Sequence, residues 1–282
     1  MSRAMIRMIA LDLDGTLAIE NHQVSPATRD ALRELHDGND VEVVIATGRR
    51  YRSTRYVIDN LGFEVYAVCN GGALLKCPDQ NTLHADTFDV APVAAIVRDL
   101  DLTLFAQRDA HDLGGADFVL DAEASWNDVT ARYYHNNSDH SAKADLMNHA
   151  PDFLVSGVFG TEDEINRVAD AVKAEIGDRF NMITVPHLET DYFYGEISQK
   201  HVDKWYGLTK LRNHLDIEPD HICTVGDQLN DMPMVSAAGH GIAMSNGHED
   251  LQAIATFVCG HNREDGILDV VNYIHEINAQ SL

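Results

Sequence analysis

The chain has 282 residues, 45% of them hydrophobic and 23% charged, with 4 cysteines and a formal net charge of −24. Such a length suits two compact domains, and the composition is that of a folded globular protein rather than a disordered one. The acidic balance argues against a nucleic-acid binder, which needs a basic footprint on phosphates, and no apolar stretch approaches the ~20 residues that span a bilayer.

Met5 to Leu11 is a short apolar run, which predicts a buried strand. Although Arg3 and Arg7 precede or interrupt it, the run lacks the small-residue cleavage site of a signal peptide. It ends at Asp12-Leu13-Asp14-Gly15-Thr16. An extended chain puts residues i and i+2 on one side, so Asp12 and Asp14 are expected to enter a single pocket at the strand's carboxyl end. Gly15 permits a tight turn there. Paired carboxylates repel and need a cation, a shared proton or both. An Asp-Gly turn between strands has the same composition, and the pentapeptide alone leaves both readings open.

Further along, Ser25-Pro26 predicts a helix start, with Ser as cap and Pro at the first helical position. Val41 to Ala46 predicts the next strand, ending at Thr47-Gly48-Arg49. A helix through Tyr56 and Leu61 and a strand at 66–69 follow, and this alternation implies a parallel sheet covered by helices. Arg49, Arg50, Arg52 and Arg55 concentrate positive charge in an otherwise acidic chain, as attraction of a phosphorylated ligand would require. Asn70-Gly71-Gly72 then has hairpin chemistry.

From about His84 to Asp191 the pattern is mixed, with strands predicted at 102–106, 118–120, 154–159 and 182–185. Thr161-Glu162-Asp163-Glu164 is a capping box opening a helix to about Ile176. His111-Asp112 and the stretch from His135 to His140 lack metal-ligand spacing and read as exposed loops. The α/β alternation resumes with a helix at 202–214, a strand at 222–225, a short helix at 231–237, further segments at 242–244 and 251–258, and a final helix at 267–277. Cys69, Cys77, Cys223 and Cys259 show no CxxC spacing and read as reduced structural residues of a cytoplasmic protein. The excess acidity fits a solvated surface, with adaptation to high salt as the alternative.

Asp12/Asp14, Thr47 and Gly226-Asp227 thus stand at the ends of apolar strands, where ligands of open parallel sheets bind. Asp12-Leu13-Asp14-Gly15-Thr16, Ala46-Thr47-Gly48-Arg49, Lys204 and Gly226-Asp227-Gln228-Leu229-Asn230-Asp231 resemble the four ordered motifs of the haloacid dehalogenase (HAD) superfamily. More narrowly, Asn70-Gly71-Gly72, Glu196-Ile197, Ala243-Met244-Ser245-Asn246 and Glu264-Asp265-Gly266 resemble the Cof-type sugar-phosphatase subfamily. Ser245 and Gly247 depart from the subfamily's usual glycine and alanine. Taken singly, Lys204 also reads as a solvated helix lysine and Thr47 as a helix cap; their joint occurrence carries the resemblance.

The resemblance implies an α/β protein: a Rossmann-like, doubly wound parallel-sheet core with an inserted α+β cap. The core would take residues 1–83 and 192–282, and the cap residues 84–191. Only about 30 residues separate Thr16 from Thr47, so no domain fits there, and the insertion must follow Thr47. It also implies that Asp12 is a nucleophile forming an aspartyl-phosphate and that Asp14 is the acid and base. Mg²⁺ would be held by Asp12, the Asp14 carbonyl, Asp227 and, through water, Asp231. Phosphate would be bound by Thr47, by backbone N–H groups near Gly15 and Gly48, by Lys204 and by Asn230, the last also in reach of orienting Lys204. Lys200 is a nearby competitor for the role of Lys204.

The function implied is a phosphatase for a small phosphorylated metabolite, a sugar phosphate by the subfamily. No nucleic-acid or membrane partner is expected, and the oligomeric state is left open. The alternatives are a phosphomutase or phosphotransferase with the same nucleophile, or a non-catalytic metabolite-binding module, against which retention of Asp12, Asp14, Asp227 and Asp231 argues.

Overall fold

The computed structural model describes residues 5–19, 23–38, 40–110, 115–187 and 190–281. The chain divides into two compact units, Met1–His84 with Asp203–Leu282, and Ala85–Val202.

The first segment runs β1 (Met8–Leu11), α1 (Pro26–Gly38), β2 (Glu42–Ala46), α2 (Tyr51–Leu61), β3 (Tyr66–Cys69), β4 (Leu74–Lys76) and β5 (Thr82–Ala85). Pro26 opens α1, and the Ser25 hydroxyl accepts from Thr28 N–H at 3.1 Å, which satisfies one of the amides a helix start leaves unpaired. Leu32 and Leu35 of α1, and Val57, Ile58 and Leu61 of α2, fall at helical spacing and are buried. A tight 3₁₀ turn at Asn70–Gly72 reverses the chain, so that β4 pairs antiparallel with β3.

The middle segment runs α3 (Ala91–Asp99), β6 (Leu104–Gln107), β7 (Phe118–Asp121), α4 (Asp128–Asn136), β8 (Ser141–Ala144), β9 (Val155–Gly160), α5 (Glu162–Ile176), β10 (Phe180–Pro186) and β11 (Phe193–Gln199). The capping box of α5 is present: Glu164 N–H donates to the Thr161 hydroxyl at 3.3 Å, and Thr161 N–H to the Glu164 carboxylate at 2.8 Å. These strands form a six-stranded sheet in the order β10-β11-β9-β6-β7-β8. One face packs Leu104, Val119, Val158 and Ile197 against α3 and α5, and Phe105, Phe118 and Phe159 cluster with Val129 of α4.

The last segment runs α6 (Lys204–Leu215), β12 (Ile222–Gly226), α7 (Met232–Ala237), β13 (His240–Met244), α8 (Glu249–Ile254), β14 (Phe257–Cys259) and α9 (Ile267–Gln280). With the first segment it makes an eight-stranded sheet, ordered β14-β13-β12-β1-β2-β3-β4-β5. From β14 to β3 every pairing is parallel. Strands covered on both faces are apolar throughout, and β1 and β12 are buried at every position.

The fold is the α/β class expected, with several local differences. The first strand begins at Met8 rather than Met5. The sequence reading does not include β4, β5, β8, α3 and α4: β8 reads Ser-Ala-Lys-Ala, whose only apolar side chains are two alanines, and α4 contains His135 of a stretch expected to be loop. His111 and Asp112 lie outside the described residues. β11, assigned to the core by a boundary at 191/192, pairs with β9 and β10 in the second sheet, and the unit boundary falls after Val202. Cys69, Cys223 and Cys259 are buried, and all four cysteines are free. No helix among the described residues is long and apolar enough to cross a membrane.

Two glycines set the seat of α6. A Cβ on Gly72, whose φ is +115°, would lie 1.9 Å from the Asp203 carbonyl oxygen, and one on Gly207 would lie 2.5 Å from Val68 Cγ1 and 2.9 Å from the Gly72 carbonyl. The helix therefore starts backbone to backbone against the Asn70–Gly72 turn, an approach only glycine allows. Gly72→Ala is expected to lower stability by about 1–3 kcal/mol, the usual cost of overpacking. An unchanged urea unfolding midpoint would show the seat to be slack.

Candidate active site

The order of strands reverses at β1: the chain proceeds outward to β2 and β3 on one side and returns as β12 on the other. Such a reversal opens a crevice at the carboxyl ends, because the helices leaving neighbouring strands go to opposite faces. Leu11 lies opposite Ile45 of β2 and Val225 of β12, so the next residues of all three strands meet there. These are Asp12, the Ala46-Thr47 step and Gly226-Asp227. Asp12 N–H extends the ladder, donating to the Val225 carbonyl at 2.9 Å.

Lys204 is the first residue of α6 and is 2% exposed. Asp203 caps the helix, accepting from Tyr206 N–H at 2.7 Å. An ammonium at a helix N-terminus opposes the helix dipole and burial removes its water, so two costs fall on this residue. Both are offset by its partners: Nζ donates to Asp12 Oδ1 at 2.5 Å and to Asp231 Oδ1 at 2.6 Å. Burial favours the neutral amine, but Asp12 and Asp231 outweigh it and hold the lysine charged, with its pKa above the usual lysine range. The competitor Lys200 belongs to the other unit, half-exposed and paired with Asp178.

Asp227 and Asp231 come from the loop after β12. Asp231 is fully buried; its Oδ2 accepts from the backbone N–H of Asp227 at 2.9 Å and of Gln228 at 3.0 Å. With its other oxygen on Lys204, Asp231 is a bracket that holds both the loop and the lysine. Thr16 donates its hydroxyl to Asp227 Oδ1 at 2.9 Å. Gly15, with φ +86°, lies so near that a Cβ there would come within 2.3 Å of Asp227 Oδ2. Asn246 fixes the same turn by donating to the Gly15 carbonyl at 2.8 Å, and its own oxygen accepts from Asn262 N–H at 2.9 Å.

Asp12, Asp227 and Asp231 offer carboxylate oxygens that all lie within 4.8 Å of one another. Three carboxylates and one ammonium leave two negative charges in a buried space. Burial pushes the Asp12 carboxyl up, against the attraction of Lys204 and with repulsion from Asp231 and Asp227. Asp227 is raised as well, first by burial, with the Thr16 hydrogen bond opposing. An all-oxygen cluster short of positive charge fits a hard divalent cation such as Mg²⁺. Both oxygens of Asp231 are engaged by Lys204 and the loop amides, and Asp227 accepts from Thr16 on one oxygen and from the Gln228 side-chain amide at 3.2 Å on the other.

Asp14 does not share the pocket with Asp12. The strand ends at Leu11 and the chain turns, so the two-residue alternation no longer applies; the Asp14 side chain is 58% exposed. It pairs with Arg49, whose Nε donates to Asp14 Oδ2 at 2.6 Å and whose Nη2 donates to Oδ1. Thr47 is buried and its hydroxyl accepts from Arg49 N–H at 3.1 Å, shaping the Thr47-Gly48-Arg49 loop rather than capping α2, whose cap position is Arg50. Asn230 is exposed, and the residues that orient Lys204 are Asp12 and Asp231. Of the arginine cluster, Arg55 is committed to Glu64 through two hydrogen bonds and to Asp59. Sequence reading gave no role to Thr16 or Asn246, which only their presence within motifs marked, and it counted Arg49 in the positive cluster without naming Asp14 as its partner.

The chain belongs to the haloacid dehalogenase-like hydrolase family, whose sequence profile matches residues 9–271. It is 27% identical to the phosphatase YwpJ of Bacillus subtilis, across 95% of this chain and 100% of that one. It is 26% identical to the B. subtilis 5-amino-6-(5-phospho-D-ribitylamino)uracil phosphatase YitU, across 92% of this chain and 94% of that one. The fold is that of TM0651 from Thermotoga maritima, with a TM-score of 0.78, 23% identity and coverage of 95% of this chain and 97% of that one.

The raised Asp12 carboxyl has a thermodynamic consequence. Its pKa moves from 3.8 to about 8 on folding, so the native state binds the proton more tightly than the unfolded chain. Stability from this group is therefore present below the unfolded value and lost as pH rises through the folded one. A cation replaces that proton, so added Mg²⁺ is expected to raise the melting temperature more at pH 8 than at pH 5. At a hundredfold excess over Kd the gain is about 2.7 kcal/mol. Equal Mg²⁺ shifts at both pH values, or none, would show that no cation binds among these carboxylates.

Proposed function

We propose that the protein is a Mg²⁺-dependent phosphomonoesterase that hydrolyses a small phosphorylated metabolite, a sugar phosphate or a similar polyol phosphate, through an aspartyl-phosphate. The observation that carries this reading is Asp12 at the carboxyl end of the central strand, held by Lys204 and backed by Asp227 and Asp231. Relatives named for phosphatase activity along nearly their whole length support it, and YitU is named for a substrate that carries a phosphorylated ribityl chain.

In the first step an Asp12 carboxylate oxygen attacks phosphorus. The bond from phosphorus to the ester oxygen breaks, and Asp14 delivers a proton to that leaving oxygen. In the second step Asp14 takes a proton from water as the water oxygen attacks the aspartyl-phosphate. The bond from phosphorus to Asp12 breaks, and inorganic phosphate leaves. Lys204 opposes the burial that raises the Asp12 carboxyl, and it offsets charge that develops on the transferring group. Thr47, the N–H groups of Gly15 and Gly48, and Asn230 are the assigned phosphate contacts. Mg²⁺ on Asp12, Asp227 and the Asp14 carbonyl, with Asp231 behind them, would neutralise charge so that an anionic nucleophile can meet an anionic phosphate. Selection among metabolites is assigned to the inserted α+β domain.

Asp12→Asn should lower kcat by about 10³-fold or more while leaving the fold intact, as expected when a covalent nucleophile is removed. The wild-type chain, quenched in acid during turnover, should carry one phosphoryl group on Asp12. Release of inorganic phosphate without a bisphosphate activator separates a phosphatase from a mutase. Turnover that survives in Asp12→Asn would rule out the covalent route.

A further inference from the structure

Lys204 already has a carboxylate on two of its three donors, so it offers an incoming phosphate dianion little unspent charge. Arg49 is a second cation near the carboxyl ends of the central strands, in the loop after β2. Its backbone is pinned: Arg49 N–H donates to the Thr47 hydroxyl at 3.1 Å, and the Arg49 carbonyl accepts from Asn70 N–H at 2.9 Å. The segment around it is held too, by Thr47 N–H on the Val68 carbonyl at 2.8 Å and Gly71 N–H on the Thr47 carbonyl at 3.1 Å. Its side chain is 17% exposed and clasps Asp14, the exposed carboxylate of the group, in a two-pronged pair.

A phosphoryl group presents a guanidinium with the same two-oxygen edge as a carboxylate, and with more charge. We propose that Arg49 is a phosphate-binding residue held in reserve by Asp14: an arriving phosphomonoester takes over the guanidinium fork and frees the Asp14 carboxyl to turn toward the leaving group. The exchange replaces two N–H···O bonds by two others, so Arg49 is never stranded, while Asp14 lies where water can solvate it. Arg55 is no candidate for such an exchange, since Glu64 and Asp59 hold it. The inference rests on the phosphatase reading and adds to it a residue that binds the substrate and restrains the acid.

The test is a double-mutant cycle on the binding of inorganic phosphate, read by calorimetry with Mg²⁺ in excess and in 1 M NaCl. At that salt the screening length is about 3 Å, so through-space charge effects fade and direct contacts remain. With Arg49 present, Asp14→Asn releases the fork and is expected to tighten phosphate binding by about tenfold, the equivalent of roughly 1.4 kcal/mol. In the Arg49→Ala background the same change should alter Kd by less than about twofold. Arg49→Lys, which keeps the charge and loses the two-pronged donor, should also remove most of the gain, and it serves if Arg49→Ala does not fold. A gain of equal size in all backgrounds, or no gain in any, overturns the proposal. Loss of hydrolysis in Asp12→Asn is read separately, so the covalent reaction can stand while Arg49 is removed from it.

Discussion

One ammonium shared between two buried carboxylates organises the site. Lys204 reaches Asp12 from a helix that starts backbone to backbone on the Asn70–Gly72 turn, and it reaches Asp231 from the same atom. Asp231 in turn holds the amides of Asp227 and Gln228, which places the Asp227 carboxylate beside Asp12. Removal of Lys204 would leave two buried carboxylates without their cation, and such a loss costs far more than the pair gains on formation. The arrangement is therefore kept at a standing expense in stability, as is common where a fold maintains groups for chemistry.

The carboxylates divide by environment. Asp12, Asp227 and Asp231 are immobilised by hydrogen bonds within the crevice, whereas Asp14 sits at the rim with most of its side chain in water. In the proposed reaction a nucleophile would benefit from a fixed position, because orientation is entropy already lost beforehand. An acid that must also act as a base would approach first a leaving group and then a water, which a rim position suits. A single turn at Gly15 separates the buried carboxylate from the exposed one.

Much of this was legible in the sequence. Parallel strands buried on both faces read as unbroken apolar runs, so Asp12, Thr47 and Asp227 could be placed at strand ends without knowledge of the helices between them. Asp14 was misplaced because the alternation rule applies only while the chain is extended, and nothing in Asp-Leu-Asp marks Leu11 as the last strand residue. For Asn230 the sequence left two readings, contact with phosphate or orientation of Lys204; the hydrogen bonds of Lys204 go to Asp12 and Asp231, since a motif conveys which residues are near and not which atoms meet. The partner of Arg49 was out of reach for a related reason: a long side chain can end on any neighbouring loop. β11 escaped the second domain because Gly195 and half-buried aromatic residues blur its apolar signal, and its strand identity comes from β9 and β10.

The placement of β1 at the centre of the large sheet also bears on the order of events during synthesis. The Asp12–Lys204 pair joins residues 192 positions apart, and Thr16 and Asp227 are 211 apart. The strand that ends at Asp12 is made before the inserted unit, yet one of its two neighbours, β12, is made only after it. The inserted unit, continuous in sequence, can collapse while the core still lacks three of its eight strands, in line with domains folding as units during translation. Until β12 arrives, β1 exposes an open apolar edge, and its carboxylates have neither lysine nor metal cluster. A chain made only as far as the inserted unit thus lacks Lys204 beside Asp12 and is prone to associate through that edge, so the addition of α6 and β12 covers the edge and assembles the carboxylate cluster together.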